Sequence, residues 1–483
     1  MDFDLVIRGG TIATAERSWR SEIGVRDGRI AELGSGLAGK RIVDAAGKLV
    51  LPGGIDSHCH IEQISSMGVM SADDFYSATV SAAHGGTTTV IPFCAQHRGD
   101  SLAGVLADYH ERARAKAVID YGFHMIIANP DEHTLAAGLP AAIGGGVRSF
   151  KIYMTYERMR LHDEQILEVM AVARKRGALV MVHAENHGMI SWLAGRMLKQ
   201  GNTLPRYHAI CHTRGSEAEA INRIVALAEL MDCPILVVHV STPAGIEAIR
   251  QARSRGLKVF GETCPQYLFL TAKDIDIGIH GAMFCCSPPP RDEAAQAACW
   301  AGLKDGALQV YSSDHAPYRM DASGKLPRGE KTTFKEMANG VPGLELRLPL
   351  LFTFGYQAGR LSLGEFVNLG STAHAKIYGL YPRKGAIEIG SDADLAIWDS
   401  EKRVTIETTR DNTGYTPYKG RELTGWPVTV ISRGDVIVEN GRLDAERGRG
   451  KFLAREPCDA LRPLGRDVPE MQQLKDWKTP LQP

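Results

Sequence analysis

The sequence predicts an α/β protein, a (β/α)8 TIM barrel with a small β-sandwich domain formed from both termini of the chain. Short apolar runs alternate with helix-like stretches through the middle of the chain, and these runs lack the polar alternation of half-exposed strands. Both ends instead carry short strands separated by Gly and Asp turns. Buried strands that alternate with helices are typical of a parallel sheet, and eight such units are typical of a barrel. A doubly wound open sheet is the alternative architecture.

The two β-rich ends have the same local pattern. Strands are predicted at residues 4–9, at 22–34 as a hairpin around Asp27-Gly28, at 48–54, at 385–399 and at 427–443. An Asp-Gly dipeptide between two apolar-alternating runs is a strong hairpin signal. We therefore predict one discontinuous small domain that is formed from residues 1–54 and about 380–445.

The middle of the chain, residues 55–379, is predicted to form the barrel. Its strand candidates are residues 55–61, 88–93, 123–129, 148–154, 178–184, 235–241, 258–264 and 308–315, and helices are predicted at 102–118, 163–177 and 218–231. From residue 446 to residue 483 the chain is irregular and contains several Pro residues, of which Pro480 and Pro483 are the last. This tail is predicted to be an oligomerisation arm on a neighbouring subunit or a loose extension.

The composition excludes several classes of function. The chain has 483 residues, 44% of them hydrophobic, and its 56 basic residues balance 56 acidic ones. This balance argues against a basic nucleic-acid-binding surface and against attraction to an anionic membrane. No apolar run is long enough to span a bilayer, and the acidic start MDFDLVIRGG does not resemble a signal peptide. Nine Cys without a C-x-x-C pair indicate reduced thiols and a cytoplasmic location.

Polar residues lie where the predicted barrel strands end. They are His58 and His60 at the end of the first strand, Lys151 in the fourth, His183 at the end of the fifth, His239 near the end of the sixth and Asp314 at the end of the eighth. In parallel barrels, catalytic residues lie at the carboxyl ends of the strands. Burying an imidazole or a charge is costly unless the group is paired or bound to a metal. The pattern therefore predicts one polar site at one end of the barrel.

His58 and His60 form a His-x-His pair. Residues i and i+2 of a strand point to the same face, so both imidazoles are expected to project into the barrel mouth, where they can chelate a metal such as Zn²⁺. The alternative to a metal site is a pair of histidines with a purely structural role. With His183, His239 and Asp314 at other strand ends, a metal site is favoured.

Lys151 suits a metal site in only one protonation state. Desolvation lowers the pKa of a buried amine, and a neutral amine can take up CO2 to become an anionic carbamate with two oxygens. Such a group could bridge two metal ions. The other interpretation is a Lys paired with a carboxylate, and the spacing along the chain does not separate the two.

Longer motifs carry more information than the His pair. They are GGIDSHCH, SADDF with GGTTTV, FKIYMTY, HAEN, VVHVST, ETCPQYL, CCSPPPR, SSDHAPY and NGVPGLELRLPLLF, and they extend over nearly the whole chain. Together they resemble the amidohydrolase superfamily and, within it, the dihydropyrimidinase and hydantoinase family. The resemblance implies a cyclic amidohydrolase that opens 5,6-dihydropyrimidines or 5-substituted hydantoins to N-carbamoyl amino acids.

The same resemblance implies a metal centre. It implies two divalent metal ions (Zn²⁺, with Mn²⁺ or Co²⁺ possible), one held by His58, His60 and Asp314, the second by His183 and His239, with Lys151 carboxylated by CO2 as N6-carboxylysine and bridging both. Glu185 and Asn186, which follow His183, are expected to orient the ligands.

The resemblance also implies catalytic and substrate-binding roles. The nucleophile would be a hydroxide, from which Asp314 would take the proton and pass it to the leaving ring nitrogen. Tyr156 would donate a hydrogen bond to the developing oxyanion. Ser287 and Asn339 would bind the substrate edge, largely through backbone groups. The implied partners are a small-molecule substrate and other copies of the chain in a tetramer or dimer, with no nucleic acid and no membrane.

The chain departs from the family pattern in residues 61–70, a loop that is expected at the barrel mouth. Dihydroorotases carry an Arg at the position of Glu62, where it binds a carboxylate, and allantoinases usually carry an Asn there. Glu62 would repel a carboxylate, which argues against dihydroorotate. Two alternatives stay open: hydrolysis of another cyclic imide or ureide, such as one like allantoin, and a non-catalytic scaffold, which the complete set of ligands disfavours.

Overall fold

A computed structural model describes residues 2–474 and residue 477 of the chain. Its strands are β1 (Phe3–Arg8), β2 (Thr11–Ala13), β3 (Ser18–Arg20), β4 (Glu22–Arg26), β5 (Arg29–Gly34), β6 (Gly39–Asp44), β7 (Leu49–Pro52), β8 (Gly54–Asp56), β9 (Thr87–Val90), β10 (Phe93–Ala95), β11 (Asp120–Tyr121), β12 (His124–Ile126), β13 (Ser149–Tyr153), β14 (Leu179–His183), β15 (Ile235–Val237), β16 (Val259–Thr263), β17 (Val310–Tyr311), β18 (Leu395–Thr405), β19 (Glu422–Ser432), β20 (Asp435–Glu439) and β21 (Arg442–Leu443).

The α-helices lie mainly between the barrel strands. They are α1 (Phe75–His84), α2 (Leu102–Lys116), α3 (Leu139–Gly144), α4 (Asp163–Arg176), α5 (His187–Lys199), α6 (Arg206–Cys211), α7 (Arg214–Met231), α8 (Pro243–Ser254), α9 (Pro265–Phe269), α10 (Ala272–Ile275), α11 (Glu293–Asp305), α12 (Arg347–Leu351), α13 (Leu363–Val367) and α14 (Ala373–Ile377). Shorter π-helical segments are Thr134–Gly138, Phe352–Gln357 and Asn368–Thr372, and 3-10 turns are His280–Phe284, Gly329–Lys331, Asp459–Leu461 and Met471–Gln473.

Strands β8 to β17 form a closed parallel barrel. One run of paired strands has the order β10-β12-β13-β14-β15-β16-β17, and β11-β9-β8 continues it, because β9 with β10 and β11 with β12 are successive halves of two barrel strands. The first and eighth strands close the barrel where Cys59 pairs in parallel with His315 and the His60 amide donates to the His315 carbonyl at 2.7 Å. The predicted barrel is confirmed, and the open-sheet alternative is wrong because the sheet closes.

The barrel strands form where the sequence predicts them because their residues are buried on both faces. Every residue of β13 and β14 is buried, as is typical of strands between a barrel interior and its outer helices. The predicted helices correspond to α2, α4 and α7. Helix α7 begins four residues earlier than predicted, at Arg214, because the Thr213 side chain caps it by accepting a hydrogen bond from the Ser216 amide.

Two further sheets, from the two ends of the chain, form the β-sandwich. One has the order β5-β4-β1-β6 and the other the order β21-β20-β19-β18-β7-β2-β3. Late strand β18 pairs with early strand β7, so that Ala396 lies opposite Leu51, and Ile7, Val25 and Leu395 lie in the apolar core of this part. The sandwich that was predicted from both termini is confirmed. The exact limits of the two domains stay a prediction.

The tail packs against the barrel of its own chain over residues 450–466. The Leu453 amide donates to the Tyr121 carbonyl at 2.7 Å, and the buried Arg455 donates to the Phe123 carbonyl at 2.5 Å. This part of the tail is therefore held in place and not loose. Pro480 and Pro483 lie outside the described residues, and a role of the tail in oligomerisation stays a prediction. No helix in the described part of the chain is both long and apolar enough to cross a membrane.

A buried ionic cluster joins the barrel to the sandwich. The Lys384 ammonium lies 2.8 Å from Asp120 of the barrel and 2.6 Å from Asp394 beside the sandwich, and Asp392 lies 3.1 Å away. Burial alone would lower the pKa of Lys384, but these carboxylates outweigh it and raise the pKa above its ordinary value. Removing one partner of a buried ion pair leaves the other charges uncompensated, which is more costly than the pair's net contribution.

We expect Lys384→Met to lower the free energy of unfolding by about 3–5 kcal/mol, because Asp120 and Asp394 would keep their burial and lose their shared cation. Urea denaturation followed by tryptophan fluorescence measures the change. Lys376→Met is the matched control, since Lys376 is half exposed and pairs with Glu16 at the surface, where an ion pair contributes about 0–1 kcal/mol. Equal denaturation midpoints for the two variants would contradict the prediction.

Candidate active site

The carboxyl ends of the barrel strands meet at one cavity. All nine residues that the sequence predicts as metal ligands or as catalytic and substrate-binding residues line it: His58, His60, Lys151, Tyr156, His183, Ser287, His239, Asp314 and Asn339. The cavity has a volume of about 90 Å³. Parallel strands of a barrel present their carboxyl ends on one side, which is why residues that are far apart in the sequence meet here.

Three of these residues form a compact cluster of potential metal ligands. A ligand atom from each of His58, His60 and Asp314 lies within 4.8 Å of the others. Asp314 Oδ1 is 3.0 Å from His58 Nε2 and 3.4 Å from His60 Nε2. Imidazole nitrogen and carboxylate oxygen are both ligands that Zn²⁺ and related divalent ions accept.

Three other residues lie beside this cluster. Lys151 Nζ is 3.5 Å from His58 Nε2, and the imidazole rings of His183 and His239 are 4.5 Å apart. Among the described residues, nothing hydrogen-bonds to the buried Nδ1 of His239. A buried polar atom without a partner is costly. An unpaired imidazole nitrogen on a residue that lines the cavity of potential ligands therefore fits a bound metal ion.

Burial and neighbouring charges shift the pKa values in the cavity. Burial lowers the pKa of Lys151 to about 8, although Glu262 and Asp314 act in the opposite direction. Burial would raise the pKa of Asp314, but the nearby His58 and hydrogen bonds from His58 and His60 hold it well below its ordinary value. A buried Lys with a lowered pKa and an ionised carboxylate therefore lie side by side.

Glu262 is a site residue that was not predicted from the sequence. Its Oε1 accepts a hydrogen bond from His58 Nδ1 at 2.6 Å and from the backbone amide of His239 at 3.1 Å. It therefore orients two potential ligands, in the way that second carboxylates usually hold metal-binding histidines. A Glu inside the apolar seventh strand, KVFGETC, is the signal that could have identified it.

The two residues after His183 differ in what they do. Glu185 accepts from His183 Nε2 at 2.8 Å and from His212 Nδ1 at 2.9 Å, as expected for a residue that orients a ligand. Asn186, predicted to do the same, instead caps helix α5 by accepting from the Met189 amide. Asn and Asp are preferred at the N-cap, the residue directly before the first turn of a helix.

The predicted substrate-binding residues Tyr156, Ser287 and Asn339 form part of the wall of the same cavity. Tyr156 packs 5.1 Å from the His183 ring, measured between centroids, and burial raises the pKa of its hydroxyl well above the ordinary value. The Ser287 hydroxyl is 3.1 Å from His208 Nε2. Asn339 Oδ1 is buried without a hydrogen-bond partner in the described chain. Tyr156 is therefore a hydrogen-bond donor, and Asn339 offers an unused acceptor.

Three residues of this cavity have a strained backbone. Tyr156, His239 and Asp314 have φ values of 69°, 42° and 47°. Such left-handed conformations are uncommon for residues other than glycine, and they persist only where the surrounding structure enforces them. The barrel strands that precede His239 and Asp314 supply that support.

The loop of residues 61–70 lines the cavity, but Glu62 does not. Glu62 Oε1 lies 2.6 Å from Lys116 Nζ, and Glu62 Oε2 accepts from the Phe75 amide at 3.3 Å. The expected repulsion of a substrate carboxylate by Glu62 is therefore not supported by its position. The neighbouring Gln63 does reach the site, where its Oε1 is 2.8 Å from His60 Nδ1.

A second, larger cavity of about 660 Å³ adjoins the first. The two cavities share the lining residues Ser66, Met67, Tyr156 and Asn339. A small polar chamber that carries the potential ligands therefore opens beside a chamber with room for a bulky group.

Comparisons with known proteins agree with the geometry. The model of the amidohydrolase family matches residues 49–437. The D-hydantoinase of Ralstonia pickettii is 40% identical over 457 residues, 94% of this chain and 99% of that protein. The structure of a D-hydantoinase from Bacillus sp. AR9 is similar with a TM-score of 0.91 and 39% identity, over 94% of this chain and 99% of that one. The dihydropyrimidinase of Brevibacillus agri has a TM-score of 0.91 and 37% identity, with the same coverage. The family resemblance of the motifs is confirmed.

We expect Glu262→Gln to weaken the binding of divalent metal at this cavity by about 10-fold or more, because it removes the carboxylate that orients His58. Metal content after dialysis against graded chelator concentrations measures the affinity. Glu247→Gln is the control, since Glu247 is exposed and pairs with Arg250 on helix α8. Retention of metal by Glu262→Gln at the same chelator concentration as the control would contradict this role.

Proposed function

The chain belongs to the amidohydrolase family and is a cyclic-amide hydrolase, and we propose that it opens 5-substituted hydantoins or 5,6-dihydropyrimidines to N-carbamoyl amino acids. The observation that carries the proposal is that the six predicted metal ligands, which come from five barrel strands, line a single cavity. The names of its relatives support this substrate class. A complete ligand set favours an enzyme over a scaffold.

We propose that this cavity holds two divalent metal ions, with Zn²⁺ the expected species and Mn²⁺ or Co²⁺ as substitutes. His58, His60 and Asp314 would hold one ion, and His183 and His239 the other. When bound, two such ions lower the pKa of water and polarise a carbonyl group. The close cluster of nitrogen and oxygen ligands and the unpaired Nδ1 of His239 support this assignment.

Lys151 is assigned as the bridging ligand in its carboxylated form. Its neutral amine would form a bond to the carbon of CO2 and release a proton, which gives a carbamate with two ligand oxygens. Nζ lies 3.5 Å from His58 Nε2, in a cavity that His183 and His239 also line, and this supports the bridge. No carboxylate hydrogen-bonds to Lys151 among the described residues, which disfavours the alternative of a simple Lys–carboxylate pair.

Asp314 is assigned as the acid–base residue. The oxygen of water would add to the ring carbonyl carbon, and Asp314 would take the proton that the water loses. The ring C–N bond would then break, and Asp314 would deliver that proton to the nitrogen. Its Oδ1 faces His58 and His60. Among the described residues, its other oxygen accepts only a long bond of 3.4 Å, from Gln266. A weakly held oxygen suits a proton carrier.

Tyr156, Ser287 and Asn339 are assigned to substrate binding. The protonated Tyr156 hydroxyl would donate to the oxygen that gains charge as the carbonyl is attacked. Ser287 and Asn339 would hold the –CO–NH–CO– edge of the ring through donors and acceptors of the backbone. The unpaired Oδ1 of Asn339 supports a polar ligand at this wall.

The two adjoining cavities favour a ring that carries a substituent. The smaller chamber of about 90 Å³ holds the catalytic residues, and the second, of about 660 Å³, has room for a side group. We therefore propose that bulky 5-substituted hydantoins are better substrates than unsubstituted dihydropyrimidines.

We also propose a cytoplasmic, homo-oligomeric protein, as a tetramer or a dimer. All nine cysteines are free, and eight of them are buried, which supports a reducing compartment. The oligomeric state rests on the family resemblance.

The expected activity is ring opening of both 5-phenylhydantoin and dihydrouracil by metal-loaded protein, with the higher kcat/KM for 5-phenylhydantoin because the second cavity can take its ring. Initial rates measured side by side test this. Removing the metal with a chelator should abolish both rates, and added Zn²⁺ should restore them. Protein that holds two metal ions per chain and opens neither ring would refute the proposed substrate class.

The Lys151→Ala variant, measured in the same assay, should lose the bridging group and with it the activity. Acetate, a small carboxylate that can enter the space left by the lysine side chain, should restore part of the activity. Lys304→Ala, which changes a surface lysine that pairs with Glu365, controls for the loss of an amine. Carbon-13 NMR after incubation with labelled bicarbonate should show a carbamate in the wild type and none in Lys151→Ala. A labelled carbamate that survives in Lys151→Ala would assign the modification to another residue.

Met67→Ala should raise kcat/KM for 5-phenylhydantoin relative to dihydrouracil by about 10-fold, because Met67 lies between the two cavities and its truncation widens the passage. The ratio of the two kcat/KM values is the readout. Glu62→Gln is the control within the same loop, since Glu62 is held by Lys116 away from the cavity. A change in the ratio of equal size in both variants would show that loop mobility, not passage width, sets the preference.

A further inference from the structure

Lys325 is a buried cation without a counter-charge. Its side chain is fully buried, and it forms no ion pair with any described residue. Its Nζ instead donates to two backbone carbonyls, that of Cys285 at 3.0 Å and that of Ala338 at 3.1 Å. Burying an amine is unfavourable unless its hydrogens find acceptors, so these two bonds account for its position.

The surroundings of Lys325 are largely apolar. Its neighbour Leu326 packs in an apolar cluster with Cys285, Phe334 and Met337. Burial lowers the pKa of Lys325 to about 8. An apolar side chain would avoid this desolvation, so stability alone does not explain a lysine here.

The two carbonyls belong to the segments that form the substrate-binding wall. Cys285 lies two residues before Ser287, and Ala338 directly precedes Asn339. The Cys285 carbonyl also accepts a hydrogen bond from the Gly340 amide at 3.0 Å. Lys325 and this backbone bond therefore connect the same two segments, and both lie behind the cavity wall.

The backbone conformation around residues 319–325 and at Gly340 fixes the position of Lys325. The Lys325 amide donates to the Arg319 carbonyl at 2.8 Å, which closes a tight turn. A Cβ at the preceding Gly324 would lie 2.3 Å from the Arg319 carbonyl oxygen. Only glycine permits this approach. On the other side, a Cβ at Gly340 would lie 2.4 Å from the Ala316 Cβ, so the Asn339 segment also has little freedom to move.

We propose that Lys325 is a positioning residue for catalysis: it ties the Ser287 segment to the Asn339 segment and so sets the spacing of the backbone groups that bind the cyclic substrate. Lys325 does not line the cavity and acts through the two segments. The proposal rests on the assignment of this wall to substrate binding under the proposed function. It adds a residue whose loss should impair binding of the ring without loss of metal.

The test compares Lys325→Met with wild type in the metal-loaded, full-length protein. Met keeps the apolar stem and removes the two hydrogen bonds. We expect KM for 5-phenylhydantoin to rise about 10-fold or more. The kcat should stay within about 3-fold of the wild-type value and the metal content should be unchanged, because an interaction that stabilises the bound substrate and the transition state equally changes KM alone. Lys331→Met is the control, since Lys331 is exposed and belongs to the same connecting region.

Two further measurements separate positioning from a purely structural role. In Lys325→Ala, n-propylammonium, which can replace the missing part of the side chain, should return KM most of the way to the wild-type value. The Lys331 variant should not respond to it. Hydrogen–deuterium exchange should rise in peptides around residues 282–290 and 336–344 of Lys325→Met and remain unchanged elsewhere in the barrel.

The outcomes are distinct. An unchanged KM in a folded Lys325 variant, or unchanged exchange in both peptides, would overturn the proposal. If Lys325→Met does not fold, the propylammonium response of Lys325→Ala decides in the same way. If the wild type opens no cyclic ureide, the proposed function fails, and the exchange measurement alone then decides whether Lys325 ties the two segments.

Discussion

The pairing of the first barrel strand with the eighth is the constraint on which the rest of the structure depends. The His60 amide donates to the His315 carbonyl at 2.7 Å, and the Ser313 amide donates to Asp56 Oδ1 at 3.2 Å. This closure joins two parts of the chain that are far apart in sequence and sets Asp314 Oδ1 3.0 Å from His58 Nε2. An open sheet with the same strands would leave these two ligands at opposite edges.

Two buried carboxylates behind the site hold the potential ligands in place. Glu262 accepts from His58 and from the His239 backbone, and Glu185 accepts from His183 and His212. Low dielectric makes such charge-assisted bonds strong and makes an unpaired group expensive. The ligands are therefore held in place before any metal binds, and the left-handed φ of His239 and Asp314 is tolerated because rigid strands precede both.

Much of this arrangement could be predicted from the sequence, for a physical reason. Apolar runs that end in His58, His183 or Asp314 are unusual, since buried strands rarely carry such residues without a function. The partners of these residues could not be predicted. The contact of Glu262 with His58 and the ion pair of Glu62 with Lys116 depend on how strands and helices that are distant in the sequence pack together. No local sequence pattern encodes the distances between such elements. The expectation for Glu62 did not hold for this reason.

Lys151 and Lys325 show that the surroundings of a buried lysine, and not a shifted pKa alone, determine what its amine can do. Burial lowers the pKa of both Lys151 and Lys325 to about 8. Lys151 Nζ lines the open cavity beside His58, so its neutral form has room to react with CO2. Lys325 Nζ lies behind the cavity wall with two carbonyl acceptors, and its neutral form would still donate to both. The same chemistry therefore suits a reactive ligand in one place and a fixed support for the substrate wall in the other.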